Sequence, residues 1–349
     1  MTIDPVLSSY SDMLFQGTVV VYLLAMAFYA VEYVSARSPK VAEAAEVAQP
    51  AAVAAGSGTA DLGIVSAEPA SMVGSASSAS ADVPVPAART PKPERPRRSR
   101  ASRFGRMAVS LTILGVLLHV GSIALRGFAT DRWPLGNMYE YTSAVCLAAM
   151  VAWLVVLQRV SPTSKGVRRL GVFVLAPVLT LMVLAGTVLY AQAAPVVPAL
   201  QSYWLVIHVT TVTLATGLFI VPGIASILYL CKRAGKPARF AEKLPAQETL
   251  DRLAYRTTVV AFPMYTFAVI CGAIWAEAAW GRFWGWDPKE TVAFVAWVVY
   301  AAYLHARATS GWRHVGAAWI NIVGLATVIF NLFFVNMVIA GLHSYAGLG

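Results

Sequence analysis

Charge is what this 349-residue chain has least of: Asp, Glu, Lys and Arg together make up 13% of it, against 58% hydrophobic residues. So little polar surface cannot coat a water-soluble globule, which excludes the ordinary soluble enzyme classes. Cysteine is scarce too. Cys146, Cys231 and Cys271 stand singly, with no C-x-x-C spacing, which excludes a thioredoxin-like dithiol, a zinc cluster and covalent haem attachment to this chain through C-x-x-C-H. There is no internal repeat. No hydrophobic run carries two histidines, so the pairing by which membrane cytochromes stack two b haems between the same helices is missing.

What the chain does have is long apolar runs. Segments near the ~20 residues needed to cross the hydrocarbon core lie at 16–35, 107–126, 138–158, 170–190, 204–230, 257–276, 289–308 and 316–341. The pattern predicts an all-α, polytopic membrane bundle of about eight transmembrane helices. The first run lacks a basic lead and a small-residue cleavage site, so it reads as an anchor helix rather than a signal peptide. Lys and Arg concentrate in alternate loops: "RTPKPERPRRSRASRFGR", "QRVSPTSKGVRR", "CKRAGKPARFAEK" and "HARATSGWRH". Basic loops stay cytoplasmic. Both termini, the Asp131–Tyr139 loop, the Ala191–Ser202 loop and the loop before Pro288 are then extracytoplasmic. The net charge of +10 is accounted for by this rule and does not imply nucleic-acid binding. Membrane lipids are the expected surroundings, and the Arg89–Arg106 cluster is a weaker candidate for anionic headgroups.

Residues 36–105 are rich in Ala, Pro and Ser and poor in large apolar side chains. Such a segment buries too little surface to offset its chain entropy, and reads as a disordered basic cytoplasmic linker. The expected organisation is an anchor helix (1–35), this linker (36–105) and a transmembrane domain (106–349).

Ionisable groups inside so apolar a chain are functional candidates. His208, in "SYWLVIHV", lies about one turn inside one span, and His343, in "AGLHSYAGLG", just beyond the last. Two imidazoles at similar depth on one side suit axial ligation of one haem iron; an interfacial histidine bonded to backbone or water is the competing reading for each. His305, in "YLHARAT", is about 25 Å from the start of its helix at 1.5 Å per residue and belongs to a separate, inner site, unless it merely snorkels or caps. His314 sits in a polar turn. His119 serves equally well as an interhelical hydrogen-bonding group or as a ligand.

The segment "AAWGRFWGWDPKE", Ala278 to Glu290, concentrates Trp280, Trp284 and Trp286 around two glycines. Its end has the form of a helix start: Asp287 as N-cap, Pro288 at the first position and Glu290 closing a capping box. That is a sufficient structural role for both acids, and no catalytic acid or base is assigned. An aromatic belt is the competing account of the indoles. A belt spreads its rings over many helix ends, whereas three in one loop suit a large flat apolar ligand held by stacking.

"WAEAAWGRFWGWDPKET" resembles the tryptophan-rich WWD motif of haem-handling membrane proteins, and its "WDPKE" ending is most similar to the CcsA (also called ResC or CcsB) family of system II cytochrome c biogenesis. "PLGNMYE" with Arg126, "WLVIHV", "GLHSY" and "YLHAR" resemble further segments of that family, so the likeness covers about 107–349. The chain departs from the pattern at Gly127, Gly136 and Glu277-Ala278. The resemblance implies a cytochrome c synthase, or haem lyase, in a bacterial cell membrane. It would carry haem b outward and present it for thioether attachment to the C-x-x-C-H cysteines of apocytochrome c. Carried over by position, His208 and His343 would be the external ligands of the haem iron. Trp280, Trp284, Trp286 and Asp287 would form the haem platform, and His305 an inner ligand whose second histidine comes from a ResB- or CcsB-type partner. A transporter that exports haem or another small molecule without attaching it, and a scaffold whose tryptophans only anchor it, are the rival functions.

Overall fold

The computed structural model describes residues 3–35, 100–160, 166–195, 201–339 and 341–342. Most of the expected linker, and His343, therefore lie outside the described residues. Among the described residues the fold is helical throughout. The main elements are α1 (Pro5–Val34), α2 (Arg100–Thr130), α3 (Met138–Val160), α4 (Gly171–Thr187) and α5 (Tyr203–Ala234). They are followed by a short α6 (Ala238–Lys243), α7 (Gln247–Trp280), α8 (Pro288–Ala308) and α9 (Val315–Phe330). The last runs on through a π turn, Asn331–Val335, to Val338. Eight of these helices are long and apolar enough to cross a membrane, as the apolar runs predicted.

Several helices outrun their apolar runs. The first begins at Pro5 rather than 16, because Asp4 caps it: its carboxylate accepts from the backbone N–H groups of Val6 and Leu7 at 2.9 and 3.1 Å, and Pro5 needs no donor partner. α7 likewise starts ten residues before its apolar run, at Gln247. The early start of α1 is set by its cap, whereas α7 starts after Ala246 with no side-chain cap.

α1 packs along α2, and the pair is stitched by reciprocal bonds: Ser11 Oγ donates to the Ser122 carbonyl at 2.8 Å and Ser122 Oγ to the Ser11 carbonyl at 2.9 Å. Small polar residues of this kind glue helices where lipid supplies no hydrophobic drive. α5 lies centrally, against α3, α7 and α9. Its close seat on α3 requires Gly217, where a Cβ would come within 2.5 Å of Ala148 Cβ and 2.7 Å of the Val145 carbonyl oxygen. The exterior carries exposed Leu117, Val183, Val260 and Ile270, the surface expected where hydrocarbon rather than water is the solvent.

Candidate functional site

A cleft of about 160 Å³ opens between the 131–137 loop, α5, the end of α7, the tryptophan loop 281–287 and the start of α8. His208, Trp275, Trp280, Phe283, Trp284, Lys289 and Glu290 line it.

His208 comes from the second turn of α5. Its Nδ1 lies 2.8 Å from the Ala268 carbonyl of α7. A carbonyl only accepts, so Nδ1 carries the proton and the lone pair is on Nε2, the arrangement that orients a metal-binding imidazole. The ring lies flat on α7 because residue 272 is glycine: a Cβ there would sit 2.7 to 2.8 Å from the ring atoms. Trp275, three residues on in the same helix, stacks on the imidazole, 6.0 Å between centroids and 13° between planes, and Trp280 meets Trp275 edge-on at 4.8 Å. The sequence reading did not single out Trp275, Gly272 or Ala268. Trp275 and Gly272 are five and eight residues before Trp280, so helical spacing from the tryptophan loop was the available signal.

The tryptophan loop is held by the helix it precedes. Gly281, with φ +70°, ends α7 in a left-handed turn. Glu290 Oε2 accepts from the backbone of Gly285 at 2.9 Å and of Asp287 at 3.1 Å, and Asp287 caps α8 in a full capping box. The helix start thus has the form read from "DPKE". The three tryptophans of the loop part company. Trp280 and Trp284 line the cleft. Trp286, at a left-handed φ of +57° that a bulky residue adopts only under constraint, is 66% exposed and meets Trp284 edge-on outside the lining. Nor does Gly285 make room for a ring: the space beside it is filled by the Arg282 guanidinium.

Asp287 does more than cap. Its Oδ1 accepts from the backbone N–H of Leu342 at 2.9 Å, and Gly341 passes so close that a Cβ there would be 2.7 Å from the same oxygen. The aspartate therefore grips the backbone of the residue just before His343. Lys289 Nζ bonds Asn336 Oδ1 at 2.5 Å and uses one of its three donors in doing so.

The opposite wall is set by a buried charge network. Glu140, 3% exposed, accepts from Arg126 Nε at 3.2 Å, from Arg132 at 2.8 and 3.0 Å and from the Gly136 backbone at 2.8 Å. Arg126 also pairs with Asp12 of α1 at 3.3 Å and donates to the Ala191 carbonyl. Carboxylate and guanidinium are each satisfied, as burial of charge demands, and the 131–137 loop is drawn over the cleft.

The other histidines lie elsewhere. His119 is fully buried among α1 and α3, with Nε2 2.9 Å from Ser143 Oγ, the interhelical hydrogen bond that was one of its two readings. His305 is exposed in the last turn of α8, apart from the cleft. His314 is mostly exposed, 3.8 Å from Asp251.

Residues 135–343 match the model of the family described as cytochrome c assembly protein. The chain belongs to the cytochrome c assembly protein family. Within it the relatives are of CcsA type. The cytochrome c biogenesis protein CcsA of Chlamydomonas reinhardtii is 38% identical over 248 residues, covering 68% of this chain and 69% of that protein. CcsA of Guillardia theta is 34% identical over 260 residues, 68% and 84% of the two chains. CcsA of Synechococcus sp. (strain CC9902) is 32% identical over 278 residues, 70% and 88%. Among solved structures, the cytochrome c haem lyase CcmF superposes with a TM-score of 0.58 at 13% identity, over 95% of this chain and 47% of that one. At that identity the likeness is one of fold, and this chain spans just under half the length of that structure. Family membership and the membrane helices make the chain a multi-pass membrane protein with a role in cytochrome c maturation.

Proposed function

We propose that the chain is the haem-presenting component of a system II cytochrome c synthase, with haem b as its substrate and the tryptophan loop on the extracytoplasmic side. The observation that carries this reading is the imidazole of His208: one nitrogen pinned to a backbone carbonyl, the other left as a ligand, in a cleft of indole rings. The donor set suits a porphyrin. Trp280 and Trp284 supply stacking surface, and Lys289 keeps donors for a propionate. The enclosed volume of about 160 Å³ is close to that of a cavity that takes one benzene ring. A macrocycle would enter by one edge, and fuller seating requires the 131–137 and 281–287 loops to separate.

In this reading His343 is the second axial ligand, and Asp287 is its positioning residue through the bond to Leu342. Trp286 stands at the rim. Attachment is redox-neutral: each apocytochrome thiol adds across a haem vinyl group, so that S–H and the C=C π bond are exchanged for C–S and C–H. No acid or base of this chain is required, and positioning with exclusion of water carries the rate. Two neutral imidazoles hold reduced iron until the histidine of the apocytochrome C-x-x-C-H segment displaces one of them. His305, exposed near the other end of the bundle, serves an inner site completed by a ResB- or CcsB-type partner.

The test is an absorption spectrum of the purified chain, with a reporter apocytochrome matured in a host lacking its own system. A reduced low-spin haem signal and maturation that are both lost in the His208→Ala/His343→Ala pair support the synthase. Normal maturation in that pair, with haem still bound, would leave a carrier without attachment activity.

A further inference from the structure

On the bundle's exterior, apart from the tryptophan cleft, lies a second and larger cavity of about 530 Å³. It is a trough over α5, where α3 and α7 both pack on that helix rather than on each other. Its α3 wall repeats at helical spacing from Ala144 through Ala148, Ala152 and Val156 to Val160, a run of about 24 Å at 1.5 Å per residue. That is most of a hydrocarbon core about 30 Å thick, so an acyl chain can lie along it at full length. Ala144, Ala148 and Ala152 keep the floor open, and between the two ends the lining is aliphatic apart from Thr210, Thr213 and Thr257.

The two ends differ. At one, Trp133 is half-exposed and donates from Nε1 to Thr210 Oγ1 at 2.9 Å, an indole at the depth where membrane tryptophans sit. At the other, Arg159 from the last turn of α3 and Arg256 from the early part of α7 both line the trough. Both are exposed, and neither has a carboxylate partner among the described residues, in contrast to Arg126, Arg132, Arg168 and Arg307, which do. Two uncompensated guanidinium groups at the mouth of an apolar trough complement one kind of ligand: an acyl chain that ends in an anionic phosphate.

We propose that this trough is a binding site for an anionic phospholipid, with the headgroup phosphate between Arg159 and Arg256 and a chain laid along α3 toward Trp133. Leu135 lines both this trough and the tryptophan cleft, so the bound chain backs the loop that forms one wall of that cleft. The site does not depend on what the cleft binds.

The full chain, reconstituted in nanodiscs of phosphatidylcholine with a minor fraction of phosphatidylglycerol of the same chain length, is released into native mass spectrometry. The expected result is one retained phosphatidylglycerol per chain. Arg159→Gln/Arg256→Gln lowers its retention about 30-fold relative to phosphatidylcholine. Arg159→Lys/Arg256→Lys, which keeps the charge, retains most of the preference and shows that the Gln pair is not simply misfolded. Ala152→Phe, which fills the trough, abolishes retention of both lipids. Equal retention of the two lipids by the unaltered chain overturns the proposal. So does a preference unchanged in the Gln pair, or a Val155→Cys probe that crosslinks to a partner membrane protein while no lipid is retained.

Discussion

At the scale of single residues, the geometry around His208 makes the sharpest demands. Adding one methyl group at Gly272 puts a carbon 2.7 to 2.8 Å from the imidazole, and the ring must tilt away from the Ala268 carbonyl that fixes its tautomer. Disturbing such a supporting contact costs about 10- to 100-fold in metal affinity. Gly272→Ala is therefore expected to weaken haem binding at least about ten-fold, read by titrating haem into the purified chain, with the helical circular dichroism unchanged. The tryptophans separate in the same assay. Trp280→Leu removes a cleft ring and is expected to lower retention about five- to ten-fold, the worth of one aromatic contact. Trp286→Leu, at a side chain 66% exposed outside the lining, is expected to change it by less than about two-fold on the same scale. Equal losses would show that the rim ring folds into the site when haem arrives.

Elements are positioned by carboxylates at their ends. Glu140 binds two arginines and a loop amide while sitting 3% exposed. Truncating it removes the buried carboxylate shared by Arg126 and Arg132 and leaves Arg126, 2% exposed, with the more exposed Asp12 at 3.3 Å as its counter-charge. Breaking a buried pair in this way costs about 3–5 kcal/mol, so Glu140→Ala is expected to lower the thermal midpoint clearly in detergent and to open the 131–137 loop to protease. Asp287 serves two elements at once, the start of α8 and the segment before His343. Asp287→Ala removes an N-cap worth about 1 kcal/mol and also frees Leu342, so the C-terminal segment is expected to become protease-sensitive and haem retention to fall. Asp287→Asn keeps a cap and an acceptor oxygen and is expected to retain most of both. Protection of the C-terminal segment in the Ala variant would count against the positioning role.

At the scale of the whole molecule, the two histidine regions do not share a cavity. His208 lines the cleft between α5 and α7, whereas His305 is exposed in the last turn of α8. His305 is exposed, so a ligand from another chain can reach its imidazole. The expectation is that His305→Ala leaves the haem spectrum of the isolated chain unchanged, but removes part of the signal, and most of the maturation, when a ResB- or CcsB-type partner is co-expressed. A change in the isolated chain would assign His305 to a site built by this protein alone.

Much was legible in the sequence because its physics is local. Apolar runs of about twenty residues can do little but span a membrane as helices, and Asp287-Pro288 with Glu290 specified the α8 start from neighbouring atoms alone. The ends of the helices were less legible, since caps such as Asp4 extend a helix beyond its apolar stretch. Contacts between distant residues were not legible at all. Arg126 and Glu140 are 14 residues apart and Asp12 another 114 from the arginine, and no periodicity pairs them. The same holds for the Ala268 carbonyl that sets the tautomer of His208, and for the Leu342 amide that Asp287 holds. By itself the sequence determined that the chain is a helical membrane protein with indoles and histidines in particular segments. Only the tertiary structure decided which indoles share a cleft with His208, because that depends on how α5, α7 and α8 pack, and close packing is settled by shape across the whole bundle rather than by any one stretch of chain.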